Sequence, residues 1–156
     1  MQCVRCNMPL ADGTETCPNC GCYLSWLSNP VYQTFLRKYE NDKNIWLVVS
    51  IIMIAVGVIL LPFSFGTSVM PLACGAWNIV SLDTQKKNLE HWRRTPVGVV
   101  DHFQDQGTNN IIFLIINIIL AGPLGLILML PPILLRDYVI KNRELLLALE
   151  YAFLHH

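Results

Sequence analysis

Residues Ile45 to Phe65 run for 21 positions without a charged side chain. As a helix at ~1.5 Å per residue, such a run reaches across the ~30 Å hydrocarbon core of a bilayer. Two more charge-free runs follow, residues 68–82 and residues 111–135. Apolar types make up 53% of the chain and charged types 14%, against ~45–50% and ~25% in an average soluble domain. That excess is concentrated in the three runs, so the sequence predicts a membrane domain over residues 45–135. Trp46, Phe63 and Phe65 stand at the two ends of the first run, where interfacial aromatics belong. Gly66-Thr67-Ser68 is a turn, and 68–82 is the return span of a helical hairpin. Its small-residue patch, Ala73 to Ala76, lets helices approach closely, and Asn78 is expected to hydrogen-bond between helices. Cys74 reads as a small buried residue. The third run carries Gly122-Pro123 at its middle. It is either one kinked span or a re-entrant hairpin whose halves, ~17–18 Å each, are too short to cross. Asn117 faces protein under both readings.

The first 24 residues pose a different problem. Their apolar side chains are few, and fixing a backbone costs ~1–2 kcal/mol per residue. Four cysteines stand as Cys3-x2-Cys6 and Cys17-x2-Cys20, two thiolate pairs at the spacing of a tetrahedral zinc site. A structural zinc ion supplies about 10–16 kcal/mol of coupled binding and folding energy, and so would serve as the segment's core. Pro18 and Gly21 shape one knuckle; Asn7 occupies the equivalent of Gly21 in the other, where glycine is easier. Asp12-Gly13 marks a turn between them, giving a pair of short β-hairpins clamped by zinc. Four cysteines close the coordination sphere and leave no position for a catalytic water.

This head resembles the short zinc ribbon at the N-terminus of many small bacterial membrane proteins, in which a linker and transmembrane helices follow. The resemblance is close over residues 1–24 and extends further only in layout. It implies Cys3, Cys6, Cys17 and Cys20 as the Zn2+ ligands. Cys22 departs from the pattern, either competing with Cys20 as ligand or remaining a spare thiol; the C-x2-C geometry favours Cys20.

Residues 25–44 form an amphipathic juxtamembrane linker. Asn29-Pro30 starts a helix that sets Val31, Phe35, Leu36 and Tyr39 on one side. An interfacial helix with Arg37, Lys38 and Lys43 toward anionic lipid fits this pattern, as does a solvated linker helix. The polar loop 83–110 holds Lys86, Lys87, Arg93 and Arg94, and its Leu89 and Trp92 are expected to lie on the membrane. The turn at 66–68 has no Lys or Arg, so charge asymmetry puts head and loop in the cytoplasm, where thiols stay reduced for zinc. No secretory signal precedes the cysteines. Residues 136–156 form a C-terminal amphipathic helix with the stripe Val139, Leu146, Leu149, Phe153, which must be covered by membrane, spans or another subunit.

The fold class expected is therefore an α-helical membrane protein with a small N-terminal β zinc ribbon (residues 1–24), a helical hairpin, and a third kinked span or re-entrant hairpin. No nucleophile–base pair is evident, and His91, Asp101 and His102 lack metal or catalytic spacing. A membrane core free of Asp, Glu, Lys, Arg and His argues against ion-coupled transport. Zero net charge and a thiolate-rich head argue against nucleic-acid binding. No small-molecule substrate suggests itself. What remains is a non-enzymatic protein of the bacterial cell membrane, its cytoplasmic zinc ribbon docking a protein partner or a second copy of the chain. The alternative is a metal or redox sensor using Cys17, Cys20 and Cys22, where a spare thiol beside zinc could oxidise and release the metal.

Overall fold

The structure is a computed structural model and describes residues 2–3, 6–11, 14–22, 24–62, 65–105, 112, 115 and 123–155. The chain is mostly helical. In order come α1 (Ser25–Ser28), α2 (Pro30–Leu60), α3 (Phe65–Arg94), α4, whose described part covers residues 99–105, α5 (Pro123–Lys141) and α6 (Arg143–His155). Among the described residues no strand forms; an isolated antiparallel bridge pairs Gln2 with Pro9. Where two β-hairpins are expected, the described part of the head shows that bridge and a Leu24 N–H donating to the Glu15 carbonyl at 2.7 Å, without strands.

The predicted helix start at Asn29-Pro30 is present. Asn29 Oδ1 accepts from the N–H groups of Val31 and Tyr32 at 3.0 and 3.4 Å, satisfying two donors that the helix leaves open. From Pro30 the linker runs without a break into the first apolar run, as far as Leu60. Its buried positions Tyr32, Phe35, Leu36, Tyr39, Asp42, Val49, Ser50, Met53 and Gly57 follow helical spacing along a single stripe. α2 closes at Leu60, so its charge-free helical part covers 45–60, ~24 Å of rise, shorter than the 21-residue run. α3 returns antiparallel along that stripe. A Cβ on Gly57 would stand 2.6 Å from Leu72 Cγ, and one on Gly75 would stand 2.6 Å from Ile54 Cγ1 and 3.0 Å from the Ser50 carbonyl oxygen. Of the small-residue patch, it is Gly75 that makes the close approach. Asn78 is buried as expected of a residue between helices, but its Nδ2 has no hydrogen-bond partner.

At the polar end of this hairpin the expected linker, loop and tail pack together. Phe35, Leu36 and Tyr39 of α2, Leu89 and Trp92 of α3, Val99, Val100 and Phe103 around α4, Leu135 and Val139 of α5, and Leu146 of α6 form one buried core. Phe35 stands at its centre, its ring centroid 5.5 to 6.3 Å from those of Tyr32, Tyr39, Trp92 and Phe103. This corrects the sequence reading: neither Phe35, Leu36 and Tyr39 nor Leu89 and Trp92 lie against lipid, because each stripe finds the other first. The stripe Val139, Leu146, Leu149, Phe153 also packs on this core. The tail is not one helix from 136; α5 continues to Lys141, and the break falls at Asn142, whose Nδ2 donates to the Tyr138 carbonyl at 2.8 Å.

Buried polar contacts fix these joints. The Tyr32 hydroxyl donates to the carbonyls of Trp92 and Thr95 at 2.7 and 3.2 Å, meeting acceptors left open where α3 ends. Arg136 Nε donates to the Phe103 carbonyl at 3.2 Å, and the Gly98 N–H to Glu150 Oε1 at 3.2 Å. α3 therefore runs twelve residues beyond Leu82 into the predicted loop. The bend at Gly122 that decides between a kinked span and a re-entrant hairpin at 111–135, and Asn117, lie outside the described residues.

Among the described residues nothing covers the other face of the hairpin. Val48, Ile51 and Ile59 of α2 are 55, 53 and 66% exposed, and Trp77 and Val80 of α3 are 71 and 73% exposed. Among the described residues α2 is the one helix long and apolar enough to cross a membrane, and 22% of its most apolar window is buried within the protein.

Candidate metal centre

Two turns of the same kind hold the four cysteines. In the first, the Asn7 N–H donates to the Cys3 carbonyl and the Cys3 N–H to the Met8 carbonyl, both at 2.9 Å. In the second, the Gly21 N–H donates to the Cys17 carbonyl and the Cys17 N–H to the Cys22 carbonyl, again at 2.9 Å. Each turn closes on a residue in the left-handed region, Asn7 at φ 58° and Gly21 at φ 68°. That is where Gly is free and Asn the best-tolerated alternative. The Cys-x2-Cys spacing thus yields two knuckles with the same hydrogen-bond pattern, and Cys22 belongs to the second through its backbone.

The knuckles face one another. Cys3 Sγ lies 3.6 Å from Cys20 Sγ, and Cys6 Sγ lies 3.6 Å from Cys17 Sγ, each contact joining one turn to the other. All four Sγ atoms fall within 4.8 Å of one another. A disulfide needs ~2.05 Å, and none of the six cysteines is disulfide-bonded. Four sulfurs at ~2.3 Å from a tetrahedral ion would be ~3.8 Å apart. The observed spacing therefore fits a metal ion at the centre, and the soft thiolate donors suit zinc among the common divalent ions. Cys3 and Cys17 are fully buried, while Cys6 and Cys20 are half-buried. The backbone N–H of Met8 and the Asn19 side chain lower the Cys6 thiol to about 6. The backbone N–H of Cys22 also pulls Cys20 down, but burial and the other three thiols outweigh it and push Cys20 up to about 12. A cation among them lets all four ionise together.

Cys22 lies outside the four-sulfur group, buried at 3% exposure beside Cys3, Cys17 and Leu24. The head's small core touches the helices through Leu27 and Phe153, and Trp26 continues this contact, its ring centroid 5.8 Å from that of Phe153. Among the described residues the four cysteines are the one group of His, Cys, Asp and Glu able to hold a metal. His102 instead packs its ring 4.9 Å from that of Trp92, and burial lowers its pKa.

One polar residue escaped the sequence reading. Asp42 of α2 is 8% exposed, its Oδ1 has no hydrogen-bond partner, and burial pushes it up to about 7. Its position on the buried stripe, one turn beyond Tyr39, was the available signal.

Comparison with protein-family models, curated proteins and solved structures gives no match.

Proposed function

We propose that this chain is an integral membrane protein of the bacterial cell membrane that presents a rigid four-cysteine zinc ribbon to the cytoplasm as a protein-docking module. It is an adaptor or accessory subunit that binds a protein partner or another copy of itself, and it catalyses no reaction. The observation that carries this reading is the four-sulfur cluster: four thiolates saturate zinc, so the metal stabilises a surface and does no chemistry on a substrate. The apolar outer face of α2 and α3 supports membrane insertion, since so wide an apolar surface would drive association in water. The charge-poor 66–68 turn and the Lys and Arg residues between 83 and 94 support a cytoplasmic head.

The test has three readouts on the full chain. Carbonate-washed membranes should retain it. Elemental analysis should find one zinc per chain, lost in Cys17→Ser. A partner that co-purifies from native membranes should be lost with the same variant. Absence of zinc, or a set of partners indifferent to Cys17→Ser, would overturn the docking role. The sensor alternative gains no support from Cys22, which is buried and whose backbone helps build the knuckle.

A further inference from the structure

α2 and α5 enclose a cleft of about 410 Å³ where the polar half of α2 meets its apolar half, a size within the ~300–1,000 Å³ of ligand pockets. Arg37, Lys38, Asp42 and Ile45 line it from α2, and Leu130 and Leu134 from α5. Lys38, Asp42 and Ile45 fall at i, i+4 and i+7, so they share one helical face. Lys38 Nζ sits 5.2 Å over the ring of Tyr138 of α5, a cation–π contact between the two helices that form the cleft. Leu130 and Leu134 are 57 and 56% exposed. Among the described residues no ion pair joins Asp42 to Arg37 or Lys38. The cleft therefore holds two cations, a separate buried carboxylate with an unmet acceptor, and an open apolar wall.

We propose that this cleft binds the headgroup of a phospholipid carrying a primary amine, with Arg37 and Lys38 on the phosphate, Asp42 on the ammonium, and an acyl chain along Ile45, Leu130 and Leu134. The proposal rests on the reading that α2 crosses a bilayer. Lys38 and Ile45 are separated by ~10 Å along the helix, close to the ~5–8 Å depth of one headgroup layer. A buried carboxylate oxygen is costly without a donor. A primary ammonium brings three N–H donors and a compensating charge. A trimethylammonium head brings charge without donors, and a glycerol head brings hydroxyls without charge. The two neighbouring cations disfavour a bare metal ion at Asp42.

The test uses the full chain purified in detergent and mixed with equimolar phosphatidylethanolamine, phosphatidylcholine and phosphatidylglycerol of the same acyl chains, with bound lipid counted by native mass spectrometry. The expected result is about tenfold more phosphatidylethanolamine than phosphatidylcholine, about one charge-assisted hydrogen bond's worth of selectivity, and an excess over phosphatidylglycerol as well. Asp42→Asn should bring the ethanolamine-to-choline ratio to about one, with helix content unchanged by circular dichroism. The Arg37→Gln, Lys38→Gln double variant should lower retention of all three lipids. Soluble phosphoethanolamine at millimolar concentration should not displace the lipid; displacement would make the ligand a free phosphate ester and overturn the lipid assignment. Equal loading of the three lipids by the parent chain, which needs no variant to fold, overturns the site. So does an Asp42→Asn chain that keeps the preference. The bilayer reading fails separately, by release of the chain from carbonate-washed membranes; a chain that stays there and loads lipids equally refutes the cleft alone.

Discussion

Two residues hold the same backbone angle at the metal centre with different ease. Gly21 adopts φ 68° without a Cβ, while Asn7 adopts φ 58° with one. No atom lies within 4 Å of where a Gly21 Cβ would sit, so a substitution there meets backbone strain and no clash. Gly21→Ala is expected to cost about 1–2 kcal/mol of coupled folding and metal binding, read as an up to roughly thirtyfold loss in a zinc-competition titration. Asn7→Gly should hold zinc at least as tightly as the parent. This much was legible in the sequence, since Cys-x2-Cys with Gly or Asn just beyond it specifies a knuckle locally. Asp42 gave only the weaker signal of its place on the stripe one turn beyond Tyr39, because its neighbours along the chain do not say that α5 lines the same cleft. Its folded pKa of about 7 lies above the ~3.9 of an unfolded aspartate. Below pH ~4 both states hold the proton. Between pH ~4 and ~7 the unfolded state releases it first, so stability falls as pH rises and levels off above 7. Arg37 and Lys38 share the cleft, and the wall facing them from α5 is apolar. In lipid-free detergent, Asp42→Asn should flatten the decline in thermal stability between pH 4 and 7. A variant as pH-dependent as the parent would assign the decline to other groups.

A helix can carry an apolar stripe of its own, yet where that stripe goes is decided by the other helices. The sequence marked Phe35 and Tyr39 on one side of α2, and Leu89 and Trp92 near the end of what proved to be α3. It offered the membrane surface as cover because a single stripe carries no information about its mate. In the structure those stripes bury one another, and the Tyr32 hydroxyl closes the end of α3. The helix start at Asn29-Pro30 was legible for the opposite reason, since a cap is satisfied within three residues. α3 outlasts the apolar run because Leu89 and Trp92 continue its buried face past the Lys86-Lys87 pair, and packing outweighs the polar composition. Phe35, fully buried and beside four other rings, is a sensitive point for truncation. Phe35→Ala should destabilise the helical core by roughly 3–5 kcal/mol. Hydrogen exchange should show this as lost protection at the end of α3 and in α4, and unchanged protection at Gly57 and Gly75 along the apolar hairpin. Uniform loss along α2 and α3 would mean that the hairpin and the aromatic core are a single cooperative unit.

Across the molecule, two stabilising principles meet at one small contact. The head draws its order from sulfur–metal bonding, because among the described residues its apolar members beside the cysteines reduce to buried Leu24 and the flanking Leu10, Leu27 and Phe153. The helical core draws its order from apolar burial, at about 1.5–3 kcal/mol for each large side chain fully removed from water. Among the described residues thirteen side chains are buried in it, none with sulfur. Metal removal should therefore unfold the head alone. After treatment with a zinc chelator, the amides of Cys3, Asn7, Cys17 and Gly21, all hydrogen-bonded within the knuckles, should lose exchange protection, while α2, α3, α5 and α6 keep theirs. Far-ultraviolet circular dichroism should change little, since no described helix precedes Ser25. The near-ultraviolet signal should shift, because Trp26 lies between the Tyr32 and Phe153 rings at the joint. Through that joint a folded head acts on the core as a bound ligand does, so chelation should lower the melting temperature of the helices by no more than about 5 °C. Phe153→Ala should abolish that shift while leaving zinc content unchanged. Wholesale loss of helix on chelation would instead make the metal the keystone of the entire chain, and a docking knob separable from its anchor would no longer describe the molecule.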